Sequence, residues 1–447
     1  MTEETSSCII DIIKNEWECS MNDKFRQIIK GKEMKVFLYI SAFFLYIAAF
    51  LLASPKEILS GMKIIICSKD ALITDYFELA GYGASFFNAA MVLTIGIVLV
   101  RIAKLPFTGI TTAALAIDTC FGFWGKNPVN ILPIYFGVIL YAKLHKASIG
   151  RYLYTALFGA CLGPIVTEIM YKLSFPFGVN LVLTAIIGIL IGMALPPLSS
   201  HTISMHMGYN LFNVGFSGGL LAFAIVCVMR SMGLNVETEF IWKEGHHVGI
   251  TIGVYFYFVL TFFYGLWLRE GKITSLSKIM KHPGRAIADF VIMDGPGSTL
   301  MNMALVGLFA ESYVLLIGGD LSGPVQGAIL MAFGYGAFGA HLKNYLPVLS
   351  GVLLSCLFTQ YVPTTPGVQI ASIFCIGLAP IAGQFGILAG VEAGILHAAI
   401  VMYSGQLYGG LNLYNNGFSC GCVAIIMVPL IESFMSRFEH KRATKKK

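Results

Sequence analysis

Two stretches of the sequence combine asparagine amides, a serine hydroxyl and glycine in the same order. Residues 210–219 read NLFNVGFSGG, and residues 412–421 read NLYNNGFSCG. An amide donates and accepts hydrogen bonds at once, and glycine favours an unwound turn that exposes backbone groups, so such a stretch can bind a polar solute. The side chains that could do so are Asn210, Asn213, Ser217, Asn412, Asn415 and Ser419. These residues could equally cap helix ends or link helices, and both interpretations stay open.

A second matching pair places an asparagine inside an apolar, glycine-containing run. Residues 81–90 read GYGASFFNAA, and residues 295–304 read GPGSTLMNMA. Asn88 and Asn302 occupy the same position in the two runs, and we add them to the candidate solute-binding residues.

Ionisable side chains inside apolar runs form a third group of candidates, because charge at membrane depth is expensive and is usually retained for function. The group contains Asp118, Glu168, Glu311, Glu392 and His397, with Gln384 as the repeat partner of Glu168. Asp118 and Glu311 align with Ala332 and Ile97, so the two halves differ at these sites. This asymmetry would suit a coupling proton or sodium ion. The rival interpretation is that some of these groups pair internally or lie at interfaces.

The composition indicates a membrane protein, so membrane-spanning helices would position these residues. Of the 447 residues, 56% are hydrophobic and only 12% are charged, far below the roughly one-quarter charged residues of soluble domains. The apolar runs predict an all-α polytopic protein with about 14 membrane segments, some of them broken or re-entrant. Lys and Arg cluster before the first run and after the last, which predicts cytoplasmic termini in the cytoplasmic (plasma) membrane rather than a nucleic-acid partner.

The matching stretches belong to a longer internal repeat. An ungapped register aligns Asp75 with Asp289, Asn130 with Asn344 and Gly137 with Gly351, and the matches concentrate at Gly, Pro, Asn and Asp. Loop charges give the two halves opposite directions, so we predict two inverted-topology repeats with a solute site near the midplane between them.

The predicted organisation has six parts. They are a cytoplasmic amphipathic leader (1–33), a first transmembrane helix with an outer linker (34–74), repeat 1 with a connecting helix (75–268), a basic cytoplasmic linker (269–288), repeat 2 (289–434) and a basic cytoplasmic tail (435–447).

Two family resemblances follow from particular motifs. Residues 125–133, GKNPVNILP, and their second copy, residues 339–347, resemble a prokaryotic membrane family catalogued as domain of unknown function 1576, which implies no substrate. Residues 81–88 and 208–210 are faintly similar to urea transporters, whose two inverted halves imply a passive channel.

The sequence favours a permease for a small polar solute, with proton or sodium coupling through the acidic residues, Glu168 first. No repeated Arg or Lys lies within the spans to hold a strong anion. The alternatives are a urea-like passive channel and a non-transporting intramembrane enzyme or scaffold. We find no catalytic motif and expect no enzyme activity, metal or cofactor. The lipid bilayer is the expected surrounding, and a homo-oligomer is left open.

Overall fold

In the computed structural model, which describes residues 32–236 and 239–445 and side chains as far as residue 436, the chain is all-helical with no strand in these ranges. The predicted leader (1–33) therefore falls almost wholly outside the described residues. The first half contains α1 (Glu33–Leu52), α2 (Pro55–Ile66), α3 (Tyr76–Ala80), α4 (Tyr82–Ile102), α5 (Gly109–Phe121), α6 (Pro128–Leu144), α7 (Leu153–Gly159), α8 (Gly163–Lys172), α9 (Phe177–Met205) and α10 (Asn213–Ser231).

The second half follows the same order. It contains α11 (Val248–Leu268), α12 (Leu276–Ile279), α13 (Phe290–Asp294), α14 (Pro296–Leu316), α15 (Gly323–Tyr335), α16 (Leu342–Ser355), α17 (Pro366–Phe374), α18 (Ala379–Phe385), α19 (Ile387–Leu407) and α20 (Asn415–Lys445). Helix α11 packs on α14 as α1 packs on α4.

The number of spanning helices is smaller than the sequence predicts. Within the described residues, ten helices are long and apolar enough to cross a membrane, counting α7–α8 and α17–α18 as one broken helix each. The other four predicted segments are α5, α6, α15 and α16, with 13, 17, 13 and 14 residues. At a rise of about 1.5 Å per residue these helices are too short to cross about 30 Å of hydrocarbon upright. The predicted count of about 14 spans is therefore not confirmed.

Two aspartates connect the halves at the starts of the short helices. Asp289 accepts hydrogen bonds from the backbone N–H groups of Gly109 (2.8 Å) and Ile110 (3.0 Å) at the start of α5. Asp75 accepts one from Gly323 (3.1 Å) at the start of α15. Each carboxylate thus satisfies N–H groups that a helix leaves free at its N-terminus, but in the opposite half of the chain.

These bonds also place the two aspartates at opposite ends of the α5–α15 pair. Helix α5 starts at Asp289 and ends beside Asp75, where Tyr76 donates to the carbonyl of Phe123 (3.2 Å). Helix α15 starts at Asp75 and ends where Phe290 donates to Ala337 (3.1 Å). The two helices therefore lie antiparallel. We call the two ends of the bundle the Asp75 face and the Asp289 face.

Glycines let the helices of each half approach closely. A Cβ atom on Gly137 of α6 would lie 2.1 Å from the carbonyl oxygen of Ile189 in α9, and one on Gly351 of α16 would lie 2.0 Å from that of Val391 in α19. Close approach through small residues is a common way for membrane helices to pack.

Both halves contain a broken helix that a loop of the other half contacts. A single 3₁₀ turn, Ala160–Leu162, separates α7 from α8, and Cys375–Leu378 separates α17 from α18. The backbone N–H of Leu413 donates to Cys161 (3.1 Å), and that of Leu211 donates to Gly377 (2.9 Å). The loops before α10 and α20 are thereby held at the two breaks, which brings the starts of α10 and α20 together inside the bundle.

Candidate functional site

The first turns of α10 and α20 cross in direct contact, and their glycines make this contact possible. A Cβ atom on Gly215 would lie 2.7 Å from the Tyr414 ring, and one on Gly421 would lie 2.3 Å from the Phe216 ring. The glycines of the two matching motifs therefore act in packing, in addition to any role in an unwound turn.

The first asparagine of each motif holds the loop before its helix. The Oδ1 of Asn210 accepts from the backbone N–H of Phe212 (2.8 Å), and that of Asn412 accepts from Tyr414 (3.1 Å). Asn210 also donates to the carbonyl of Gly417 (3.2 Å) in the opposite motif. These contacts favour the structural interpretation for Asn210 and Asn412.

The second asparagine of each motif is also hydrogen-bonded within the protein. The Oδ1 of Asn213 accepts from the Thr202 hydroxyl (2.9 Å) and lies 2.9 Å from the Nε2 of His206. The Oδ1 of Asn415 accepts from Ser404 (2.7 Å) and from the hydroxyl of Tyr408. Both amide groups donate to a carbonyl of the preceding helix, Ser199 for Asn213 and Val401 for Asn415.

The serines of the motifs differ in their surroundings. Ser217 bonds within its own helix, to the carbonyls of Asn213 (3.3 Å) and Val214 (3.2 Å). Ser419 lies 3.0 Å from the Nδ1 of the buried His397. The structure thus brings together Ser419 and His397, which the sequence assigned to different roles.

Asn88 and Asn302 hold the turns that leave the short helices. Asn88 donates to the carbonyls of Gly122 (2.6 Å) and Lys126 (2.7 Å), and Asn302 donates to those of Gly336 (2.7 Å) and Ala340 (2.9 Å). Both side chains are fully buried, and their amide N–H groups donate to backbone carbonyls.

A cavity of about 400 Å³ opens beside the start of α20. The buried residues Trp124, Ile370, Asn415 and Asn416 form its inner part. Its remaining lining includes Arg230, Gln406 and Phe240, all of which are exposed, together with Leu72, Ile73, Val236, Gly367, Val401, Met402, Gly405, Gly409 and Gly410. Ile73 pairs with Ile241 next to Asp75, so the cavity belongs to the Asp75 face.

Asn416 is the least engaged polar side chain in this cavity. Its side chain is only 5% exposed, and within the described residues its Oδ1 has no hydrogen-bond partner of ordinary geometry. His397 lies next to it and has a side-chain hydrogen bond with it, although the Nε2 of that imidazole also has no partner of ordinary geometry. In the register of the motifs, Asn416 and His397 correspond to Val214 and Leu195, so this polar pair is specific to the second half.

The corresponding place on the Asp289 face is closed by side chains. The rings of Tyr209 and Phe385 stack at 5.1 Å, and the guanidinium of Arg285 lies 4.6 Å from the centre of the Tyr209 ring. Arg285 also donates to the carbonyl of Met207 (2.6 Å), and Ala286 donates to that of Gly208 (3.0 Å). These contacts tie the linker before the second half to the loop before α10.

Asp118, an expected ion-coupling residue, is paired internally. Lys126 lies 2.6 Å from its Oδ1, Tyr135 donates to its Oδ2 (2.6 Å), and the side chains of Asp118 and Lys126 are 0% exposed. Lys126 also bonds to the carbonyl of Leu157 (3.2 Å). The sequence analysis did not identify Lys126, although its asymmetry is visible in the sequence, because Ala340 replaces it in the second half.

The other predicted ion-coupling residues do not come together. Glu168 is buried and lies 3.7 Å from Lys172, and Glu311 accepts from Gln326 (3.1 Å). Glu392 and Gln384 are exposed. None of the four lines the cavity beside α20. No group of three His, Cys, Asp or Glu side chains suited to a metal ion occurs in the part of the chain that the structure describes.

Sequence reasoning also missed Asp70, which lies in the loop before α3. This carboxylate is 1% exposed and accepts hydrogen bonds from Tyr76 (2.6 Å), Thr167 (2.8 Å), Asn130 (3.0 Å) and Asn127 (3.2 Å), with Ser68 at 3.1 Å. Burial raises its pKa to about 7, against the opposing effect of these donors. The duplicated motif at residues 125–133 was the available signal, because it supplies Asn127 and Asn130.

Comparisons with known proteins identify a family. The model of the family described as protein of unknown function DUF1576 matches residues 54–231 and 268–433, so that α1 and almost all of α11 lie outside the matched segments. No curated protein and no solved structure matches the chain, and the resemblance to urea transporters gains no support from these comparisons. The two matched segments cover most of the sequence, and the chain belongs to this family of unknown function.

Proposed function

We propose that the protein is a permease that moves a small polar solute through the cavity beside α20. The observation that carries the proposal is the cavity itself, which reaches from the Asp75 face to the buried Asn416 at the start of a helix. A partly polar cavity that ends at a helix start, next to a broken helix, is typical of the solute sites of secondary transporters.

An inverted-repeat architecture is part of this proposal. It is supported by the reciprocal bonds of Asp75 and Asp289, by the antiparallel packing of α5 and α15, and by the equivalent contacts of Asn88 and Asn302. Reporter fusions after Lys146 and after Gln360 should report opposite sides of the membrane. Fusions that report the same side would refute the inverted arrangement.

The difference between the two faces suggests how transport would proceed. The cavity is open towards the Asp75 face, whereas Tyr209, Phe385 and Arg285 fill only the corresponding place on the Asp289 face. Exchange between this state and one with the reverse openings would carry the solute across. In the proposed orientation the Asp289 face and the basic tail are cytoplasmic, as the loop charges suggest.

Ion coupling is a further element of the proposal, and two of the predicted residues can be separated by experiment. His397 lies next to the cavity residue Asn416, whereas Glu168 lies near Lys172 and away from the cavity lining. If a proton is coupled to the solute, His397→Gln should abolish the dependence of uptake on a pH gradient. Glu168→Gln should have this effect only if the carboxylate binds the ion.

The decisive test of the permease proposal is uptake by proteoliposomes, with the pH gradient and the membrane potential set separately. We expect uptake of at least one small polar solute, reduced by Asn416→Val, which installs the residue of the first half. Uptake that depends on neither the pH gradient nor the membrane potential would identify a passive channel. No uptake of any solute in a broad panel, together with no labelling of a cysteine at Val401 or Gly405 by a water-soluble reagent, would overturn the proposal.

A further inference from the structure

A second cavity, of about 680 Å³, lies on the Asp289 face between the linker that follows α12 and the starts of α16 and α19. We call it the basic cavity. We propose that it binds the phosphate of an anionic phospholipid, whose acyl chains lie along α16 and α19. Binding of this lipid can be tested without transport, and the site is separate from the cavity beside α20.

The basic cavity is the second-half counterpart of the Asp70 site. Four of the five side chains that bond to Asp70 align with residues that line the basic cavity. The aligned pairs are Ser68 with His282, Asn127 with His341, Asn130 with Asn344 and Thr167 with Gly383. Asp70 itself aligns with Gly284. The first half thus places its own carboxylate among these residues, whereas the second half has a glycine and an open cavity.

No other charged group of the protein replaces the carboxylate. Asn344 donates to the carbonyl of Pro283 (3.4 Å), which carries no net charge. Among the described residues that line the basic cavity, none is an aspartate or a glutamate. A place that holds an anion in one half therefore lacks one in the other, which points to an anion from outside the chain.

Two lysines supply the positive charge that such an anion needs. Lys281 and Lys343 line the basic cavity, and within the described part of the chain neither forms an ion pair. The third basic group, His282, lies 2.9 Å from Asp294 and is therefore engaged. The two ammonium groups are available to a phosphate, for which lysine is a common partner.

The position of the basic cavity selects a lipid rather than a soluble anion. Helix α19 is long and apolar enough to span a membrane, and its first residue, Ile387, lines the cavity and is 73% exposed. Leu346 of α16 also lines it and is 41% exposed, and Leu388 beside Ile387 is 72% exposed. A soluble phosphate would make no use of this apolar rim, whereas acyl chains would continue from the headgroup along it.

The difference between the halves also suits the two sides of a membrane. Lys281 and Lys343 align with Cys67 and Val129, so neither lysine is repeated. In the proposed orientation the Asp289 face is cytoplasmic, and anionic lipids of the cytoplasmic leaflet are attracted to basic pockets between helices. The Asp70 site lies on the opposite face and carries its own negative charge.

Native mass spectrometry of the purified, delipidated full-length protein in detergent can measure this binding. The probes are phosphatidylglycerol and phosphatidylcholine with the same acyl chains, and glycerol 3-phosphate as the soluble headgroup. We expect one phosphatidylglycerol molecule to bind with at least tenfold higher apparent affinity than phosphatidylcholine. Glycerol 3-phosphate should not displace it at equal concentration.

A pair of double variants locates the site. Lys281→Gln with Lys343→Gln should weaken phosphatidylglycerol binding by tenfold or more. Lys143→Gln with Lys146→Gln is the matched control, because these two lysines are exposed near the end of α6 on the same face but do not line the basic cavity. The control should bind the lipid as the unmodified protein does. All four side chains are exposed, so unfolding midpoints without lipid should stay unchanged.

Several results would overturn the inference. Equal binding of the two lipids would remove the role of the headgroup charge. Full binding to the variant of Lys281 and Lys343, or an equal loss in the control, would place the lipid elsewhere on the basic face. Displacement by glycerol 3-phosphate at equal concentration would make a soluble phosphate the occupant.

Discussion

At the scale of single residues, the buried pair of Asp118 and Lys126 is the clearest difference between the halves. The second half replaces Asp118, Lys126 and Tyr135 by Ala332, Ala340 and Leu349 at the same register positions. The fold therefore accommodates an apolar version of this cluster. Each charge of the pair is tolerated in the interior because the other compensates it.

This comparison predicts that the pair can be removed together but not singly. Asp118→Ala or Lys126→Ala should each lower the free energy of unfolding by about 3–5 kcal/mol, because an uncompensated charge stays buried. The triple variant Asp118→Ala, Lys126→Ala, Tyr135→Leu copies the second half and should lose much less. Thermal unfolding in detergent measures both effects. A triple variant as unstable as the singles would contradict the explanation.

Asp70 predicts a pH dependence of stability. Its pKa is raised from 3.8 to about 7 in the folded protein by burial. The folded state then binds more protons than the unfolded state between these values, so the stability from Asp70 is complete below about 4 and falls as the pH rises through 7.

The unfolding midpoint should accordingly decrease between about pH 4 and pH 7, and Asp70→Asn should flatten this decrease. The variant will be less stable at every pH. Its amide places an N–H donor where the carboxylate has an acceptor oxygen, next to five side chains that also donate. The slope, rather than the midpoint itself, is the diagnostic quantity. A slope that Asp70→Asn leaves unchanged would assign the titration to another group.

At the scale of the elements, glycine contacts set the distance between helices in both halves. Gly137 of α6 and Gly351 of α16 face the backbone of α9 and α19, with no space for a methyl group. A Cβ atom on Gly178, at the start of α9, would meet nothing within 4 Å.

Gly137→Ala and Gly351→Ala should therefore each destabilise the protein by about 1–3 kcal/mol through overpacking. Gly178→Ala is the matched control and should have little effect on the unfolding midpoint. Similar losses at Gly137 and Gly351 would agree with equivalent packing in the two halves. If the control destabilises as strongly, the effect is not one of helix distance.

At the scale of the whole molecule, three side chains fill the place on the Asp289 face that corresponds to the cavity on the Asp75 face. Tyr209, Arg285 and Phe385 join the loop before α10, the linker before the second half and the end of α18. The open Asp75 face has no equivalent aromatic and arginine at the matching positions, where Leu411 and Ala71 occur instead.

Replacing Tyr209 and Arg285 by alanine should give water access to the start of α10 from the Asp289 face. In the double variant Tyr209→Ala, Arg285→Ala, a cysteine placed at Val214, which corresponds to Asn416, should be labelled by a membrane-impermeant reagent from the Asp289 face. With Tyr209 and Arg285 intact the same cysteine should react slowly, because Val214 is 7% exposed. Equal labelling in both backgrounds would refute a closing role.

The sequence by itself determined the helical membrane class, the family and the residues that recur in both halves. These follow from composition and from matched Gly, Pro, Asn and Asp, which are local properties of the chain. The sequence analysis singled out Asn88 and Asn302 as candidate solute-binding residues, but their hydrogen bonds to turns 34 and 38 residues away are tertiary contacts.

Only the tertiary structure decided which polar residues are engaged and which face a cavity. Asn415 and Asn416 are neighbours in one motif, yet Asn415 is hydrogen-bonded to Ser404 and Tyr408, whereas Asn416 lies next to His397. The partner of Asp118 likewise depended on how α5 ends, which brings Lys126 back to within 2.6 Å of it. The physical reason is that hydrogen bonding and charge compensation depend on distances between segments, which a pattern of residue types along the chain does not contain.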